Sequence, residues 1–174
     1  MAYSDPKHLS LGEVEGLSGL APDERVRRIY ALVERLNAGA SGAEVEVAMA
    51  AMAAAEGEIS VRDAWVSYAA ASRSESFLPV LAKWIADNSW NKRRRVLYAL
   101  MEIRARAVNE ILLEIIAHDG ERVLRSLALR NLVRRGSLGL WEPVDLTGIT
   151  KDEDWYGPTR REYIELLKMK KARS

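Results

Sequence analysis

Apolar residues recur along this chain at three- and four-residue spacing almost from end to end, with no sustained two-residue alternation of β-branched side chains. That periodicity predicts helix throughout and leaves little room for strands. Placed against their start and stop signals, the apolar stripes predict helices over about 10–18, 22–37, 42–55, 60–72, 75–87, 91–104, 107–118, 120–135 and 159–171. Ser10 with Glu13, Ser41 with Glu44 and Thr159 with Glu162 have capping-box spacing, and Pro22 followed by Asp23 and Glu24 suits a first helical turn. The links are only a few residues long, which forces neighbouring helices antiparallel and makes the chain a series of helical hairpins.

The stripe on the helix near 120–135 is too wide for one partner. Val123, Leu124, Leu127, Ala128 and Leu132 form its main face, while Leu129 and Val133 lie well away from it at about 100° per residue. A second covering layer is therefore expected. The segment with Leu138, Leu140 and Trp141, followed by the helix bearing Tyr163, Leu166 and Leu167, is the natural cover. Around 138–158, Pro143, Gly148, Gly157 and Pro158 mark an irregular connection.

The helices also repeat. VRDAWVSYAA from Val61, RRRVLYALME from Arg93 and RVLRSLALRN from Arg122 follow one another at about thirty-residue intervals. Between them stand two aliphatic helices, ESFLPVLAKWIADN from Glu75 and ARAVNEILLEIIAHDG from Ala105. A lone helical pair cannot bury both faces, so stacking neighbours would complete a shared core. Units of this form resemble HEAT repeats of the short bacterial and archaeal type, in which a helix of pattern V-R-x-x-A-x-x-A-L follows an acidic or glycine-containing turn. The best match is His118-Asp119-Gly120-Glu121-Arg122-Val123-Leu124-Arg125, followed by Leu127, Ala128 and Leu132. Trp65 and Tyr68 depart from the pattern where small residues are expected. The resemblance implies an all-α, short right-handed α-solenoid of stacked antiparallel hairpins with a C-terminal capping helix. It also implies a concave face lined by the second helix of each pair. The expected layout is one helical-repeat domain over 1–174, with repeats clearest over 59–136, and an irregular connection and cap over 137–174.

Composition narrows the chemistry. The 174 residues are 48% hydrophobic and 29% charged, a globular balance, and none is cysteine. A disulfide framework, a thiolate nucleophile and a zinc ribbon are thereby excluded. No apolar run has the length of a membrane span, and the N-terminus has no basic segment followed by an apolar one, so the expectation is a cytoplasmic chain with no membrane partner. The net charge of +1 hides an asymmetry: residues 1–60 carry 10 acidic against 5 basic residues, whereas residues 88–136 carry 11 basic against 5 acidic.

That basic stretch supplies the first candidate site. Lys92, Arg93, Arg94 and Arg95, joined by Arg104, Arg106, Arg122, Arg125, Arg130, Arg134 and Arg135, would form a ridge for phosphates if they shared a surface. They would instead be solvated or internally paired if they met Glu102, Glu110, Glu114 and Glu121, and Arg93 points toward the apolar side of its helix. Trp65, Trp84 and Trp90 are the aromatic candidates, and Trp84 with Asp87 has the spacing of an aromatic–acid pair in helical-repeat DNA glycosylases; core packing is the plainer reading. His118 at a helix end is explained by exposed carbonyls and the helix dipole. Asp152-Glu153-Asp154 lacks the spaced ligands and turn glycine of a calcium loop and reads as a solvated loop. The C-terminal amphipathic helix either docks on its own array or meets a partner.

The resemblance implies a macromolecule-binding scaffold, with a protein partner favoured, and the candidate binding residues are Arg94, Arg95, Arg122, Arg125, Trp65 and Trp84. A nucleic-acid-binding array on the basic ridge is the alternative, and an alkylated-base glycosylase a remote one. No catalytic residue, metal or cofactor is assigned.

Overall fold

The computed structural model describes residues 8–173, and these are helical with no strand among them. A single parallel bridge links His8 and Ser41. The helices are α1 Leu11–Glu15, α2 Pro22–Asn37, α3 Glu46–Ala55, α4 Ile59–Ser72, α5 Leu78–Ala86, α6 Arg93–Glu102, α7 Ala107–His118, α8 Arg122–Ser137 and α9 Gly157–Arg173. Backbone contacts divide the chain after Ile103 into two compact units, one ending there and the other beginning at Arg104.

Several boundaries differ from the sequence expectation for local reasons. Glu13 accepts from the Ser10 N–H, the glutamate half of a capping box, and also from the Ser10 hydroxyl, yet α1 stops at Glu15. Ser41 does not cap α3. Its carbonyl accepts from the Leu9 N–H, and Gly42 lies against Leu36, Tyr68 and Leu9, so the helix begins only at Glu46. Pro79, which has no N–H, and a Ser74 hydroxyl that accepts from Ser76 N–H make residues Glu75–Phe77 a 3-10 turn before α5. Thr159 lies inside the first turn of α9 and does not cap it.

In the first unit α4 is the central helix, packing against α2 on one side and α6 on the other, while α3 packs on α5 and α5 on α6. Its sequence explains that position. Val61, Ala64, Trp65, Val66, Tyr68 and Ala69 surround the helix axis, and all are buried. Trp65 meets Tyr68 edge-on at 6.2 Å, and Tyr68 tilts against Phe77 at 5.6 Å. Arg73, at φ 56, ends α4 in the left-handed region.

In the second unit α8 is central, packed against α7, α9 and a short 3-10 turn at Asp152–Asp154. Leu129 and Val133 are fully buried, so the second covering layer exists. α9 packs on α8 with Tyr163 and Leu166 buried. The Tyr163 hydroxyl donates to Val144 O at 2.6 Å and accepts from Leu146 N–H at 3.2 Å, pinning the irregular connection to the helix. Its ring stacks on Trp141 and tilts against Trp155. Leu138, expected in that cover, is 63% exposed, and Val123, expected on the core face, is 43% exposed. The buried series on α8 begins one residue later, at Leu124 and Arg125.

Among the described residues no helix is long and apolar enough to cross a membrane.

Candidate functional site

The basic stretch resolves into internal and exposed arginines. Arg125, in the first turn of α8, is buried, and every nitrogen of its guanidinium is engaged. Nε lies 3.0 and 3.1 Å from the two Asp154 carboxylate oxygens; Nη2 donates to Asp154 at 2.8 Å and to Glu153 at 3.3 Å. Nη1 donates to the carbonyls of Asp119 at 2.9 Å and Gly120 at 3.3 Å. Hydrogen bonding to Asp154 holds the guanidinium above its ordinary pKa. With its planar fork fully used, Arg125 has nothing left to offer a phosphate or a partner. The acidic run is corrected with it: Asp154 has no exposed surface, and its turn is an ion-pair anchor, whereas the sequence predicts a solvated loop.

Arg93 behaves like Arg125. It is buried and donates to Ile85 O at the end of α5. Arg135 donates to the carbonyls of Arg104 and Ala105 and, at 2.6 Å, to Asn109 Oδ1; burial pushes its pKa down. Arg122 is exposed but gives its Nε to Glu153 O at 2.8 Å. Arg95 lies 3.1 Å from Asp63, which also accepts from Lys92. Of the four arginines proposed to bind, Arg94 alone is exposed and, among the described residues, has no ion-pair or hydrogen-bond partner. Arg130 and Arg134 on α8 share that condition.

Neither tryptophan candidate faces solvent. Trp65 is completely buried on α4. Trp84 is 2% exposed, packed edge-on against Trp90 at 6.1 Å, with the Arg62 guanidinium near 6 Å from both ring centres. Arg62 also meets Asp87 at 2.7 Å. Hydrogen bonds from Ser89 and from Arg62 hold the Asp87 carboxyl down to about 2. Trp84 and Asp87 thus share one cation between them, and the indole is a core side chain. His118, the last residue of α7, lies 3.8 Å from Glu114 across an exposed helix surface.

The structure brings out two helix faces that the sequence reading did not assemble. On α6, Arg94 and Tyr98 stand one turn apart, and Tyr98 is 58% exposed. On α8, Val123, Leu127, Arg130 and Arg134 follow one another at four- and three-residue steps, with Leu127 half-buried and the others exposed. Tyr98 was within reach of a helical-wheel argument, since it lies opposite Val96, Leu97 and Leu100. Val123 was not, because its aliphatic side chain reads as core.

Among the described residues no group of three or more histidines and carboxylates is placed to hold a metal ion. Comparison with protein-family models, with curated proteins and with solved structures gave no significant match.

Proposed function

We propose that this chain is a protein-docking scaffold whose hairpins follow the HEAT-like plan, with the outward faces of α6 and α8 as the contact surfaces. Supporting the repeat plan, α4 neighbours α2 and α6 while α3 neighbours α5, so helices of the same rank lie side by side in the first unit. Further support comes from positions 61, 93 and 125. Each is buried, and each is followed at three, four and seven residues by buried side chains: Ala64, Trp65 and Tyr68; Val96, Leu97 and Leu100; Ala128, Leu129 and Leu132. At two of these positions a buried arginine reaches back to a carbonyl that precedes its own helix, Arg93 to Ile85 and Arg125 to Asp119.

The observation that carries the choice of partner is the fate of the basic residues. Arg125 has every donor turned to the chain's own acceptors and Arg95 and Arg122 have one each, while what remains outward mixes Tyr98 and Val123 with Arg94, Arg130 and Arg134. An aromatic–arginine mixture is the composition of protein contact surfaces. A phosphate-tracking surface needs several convergent cations.

The test is capture of a stoichiometric partner by the tagged full chain from nuclease-treated extract, followed by reconstitution from purified proteins. Tyr98→Asp with Arg94→Glu should weaken the reconstituted complex by ~10-fold or more while leaving the melting temperature unchanged. Retention on duplex or single-stranded nucleic acid, falling steeply with salt and lost in Arg94→Glu/Arg130→Glu/Arg134→Glu, would replace this reading with the nucleic-acid one.

A further inference from the structure

The second unit contains an open groove of about 810 Å³ at the N-terminal end of α7, the C-terminal end of α8 and the last turns of α9. None of its lining residues belongs to the helix faces invoked above, so it goes beyond that reading. Its floor is apolar. Trp141, Pro143 and Leu166 are buried there, and Gly136 of α8 keeps the floor low, because a Cβ at that position would meet Leu166 at 2.8 Å and Trp141 at 3.2 Å. Met169, half exposed, stands on the wall and gives it an adaptable, polarisable side chain.

The polar groups sort into those already used and those left over. Asn109 donates to Leu140 O at 2.9 Å and accepts from Arg135, so it is a structural member of the floor. Lys170 bridges to Glu142 at 2.9 Å and donates to Pro143 O at 3.2 Å. Arg106 and Arg173 also line the groove, are exposed and, among the described residues, face no carboxylate partner. One acid therefore stands against three cations around a trough of mixed polar and apolar lining.

We propose that this groove binds an acidic linear peptide, its large apolar side chain seated on Trp141 and Leu166 and its carboxylates held by Arg106 and Arg173. Charge complementarity selects the occupant: two guanidiniums that meet no carboxylate among the described residues line the trough, and carboxylates are the groups their forks match bidentately. A peptide segment suits the site because the groove is open to solvent and would leave much of an enclosed-pocket ligand in water.

The test is a display library of random twelve-residue peptides panned on the full chain, with Arg106→Glu/Arg173→Glu as the counter-target. Both substituted residues are exposed, and thermal melting checks that the variant is folded. The expected result is enrichment of sequences that pair Asp or Glu with Leu, Phe or Trp. Their synthetic versions should lose ~10-fold or more in affinity on the double reversal and on Met169→Asp, bind more weakly as salt rises, and shift the Met169 methyl resonance. Peptides with lysine in place of the acids should bind the reversed variant and not the wild type. No enrichment, equal binding to both proteins, or an unmoved Met169 methyl overturns the proposal. Equal competition by duplex DNA or by phosphatidylserine vesicles also overturns it, since the rim would then be reading phosphate. Peptide binding is expected unchanged in Tyr98→Asp, so the groove and the helix-face reading fail separately.

Discussion

The Arg125 guanidinium and the Asp154 carboxylate meet at 2.8 Å with both side chains withdrawn from solvent, joining the first turn of α8 to the short turn before α9. Removing one partner strands the other charge away from water. Asp154→Ala is expected to cost about 3–5 kcal/mol of unfolding free energy, whereas the double variant Arg125→Met/Asp154→Leu should recover most of it. Urea denaturation of these proteins and of the single variants Arg125→Met and Asp154→Leu checks this, and additive losses would show that the pair does not act as one unit.

Acid should weaken the first unit through Asp87. Its folded pKa of about 2 lies below the ordinary 3.8, so as pH falls the unfolded chain takes up the proton first. The stabilisation is complete above the ordinary value and is lost as pH falls through the folded one. Glu13 acts in the same direction. Burial raises its pKa, but hydrogen bonds from Ser10 and Arg35 outweigh burial and leave it below 4.5. Melting temperature followed from neutral pH to about 2 should decline less steeply in Asp87→Asn than in the wild type; parallel curves would remove Asp87 as the cause.

Gly136 lets α9 approach α8. A β-branched side chain there has no room beneath Leu166 and Trp141, so Gly136→Val should cost about 1–3 kcal/mol by overpacking. Gly136→Ala gains up to about 1 kcal/mol of helix propensity against a smaller clash and should be nearer neutral. A midpoint shift in denaturant that is the same for both variants would contradict the close approach.

Trp84 and Tyr98 should separate stability from binding. Trp84→Ala empties a site that is 2% exposed and is expected to cost about 3–5 kcal/mol. Tyr98→Asp changes a side chain with 58% of its surface in water and should stay within about 0.5 kcal/mol of the wild type. Calorimetric melting of both proteins decides, and a large loss in Tyr98→Asp would assign that ring to packing.

The helices were readable because nearly every one has a continuous apolar stripe, and α2 and α7 begin and end where the pattern places them. The covering role of the C-terminal helix also followed from Leu129 and Val133, two aliphatics that one neighbour cannot bury. Side-chain destinations were less accessible. Arg94, Arg95, Arg122 and Arg125 look alike as letters, yet one is buried among acceptors from four separate residues and another is exposed with no hydrogen-bond or ion-pair partner among the described residues. What distinguishes them is Asp154, Glu153 and Asp63, each about thirty positions away in the chain. The groove was hidden for the same reason: Arg106, Trp141 and Arg173 become neighbours only when α9 has folded back.

On α4, two consecutive side chains of opposite sign face different partners in the link after α5 and in α6, Arg62 meeting Asp87 while Asp63 meets Lys92 and Arg95. Slipping α4 forward by one position would bring Arg62 toward two other cations, so the alternation works as a key that admits one alignment. Hydrophobic stacking alone tolerates sliding. A transplanted hairpin lacking this complementary lettering would fit the apolar layer and still be refused at its edge.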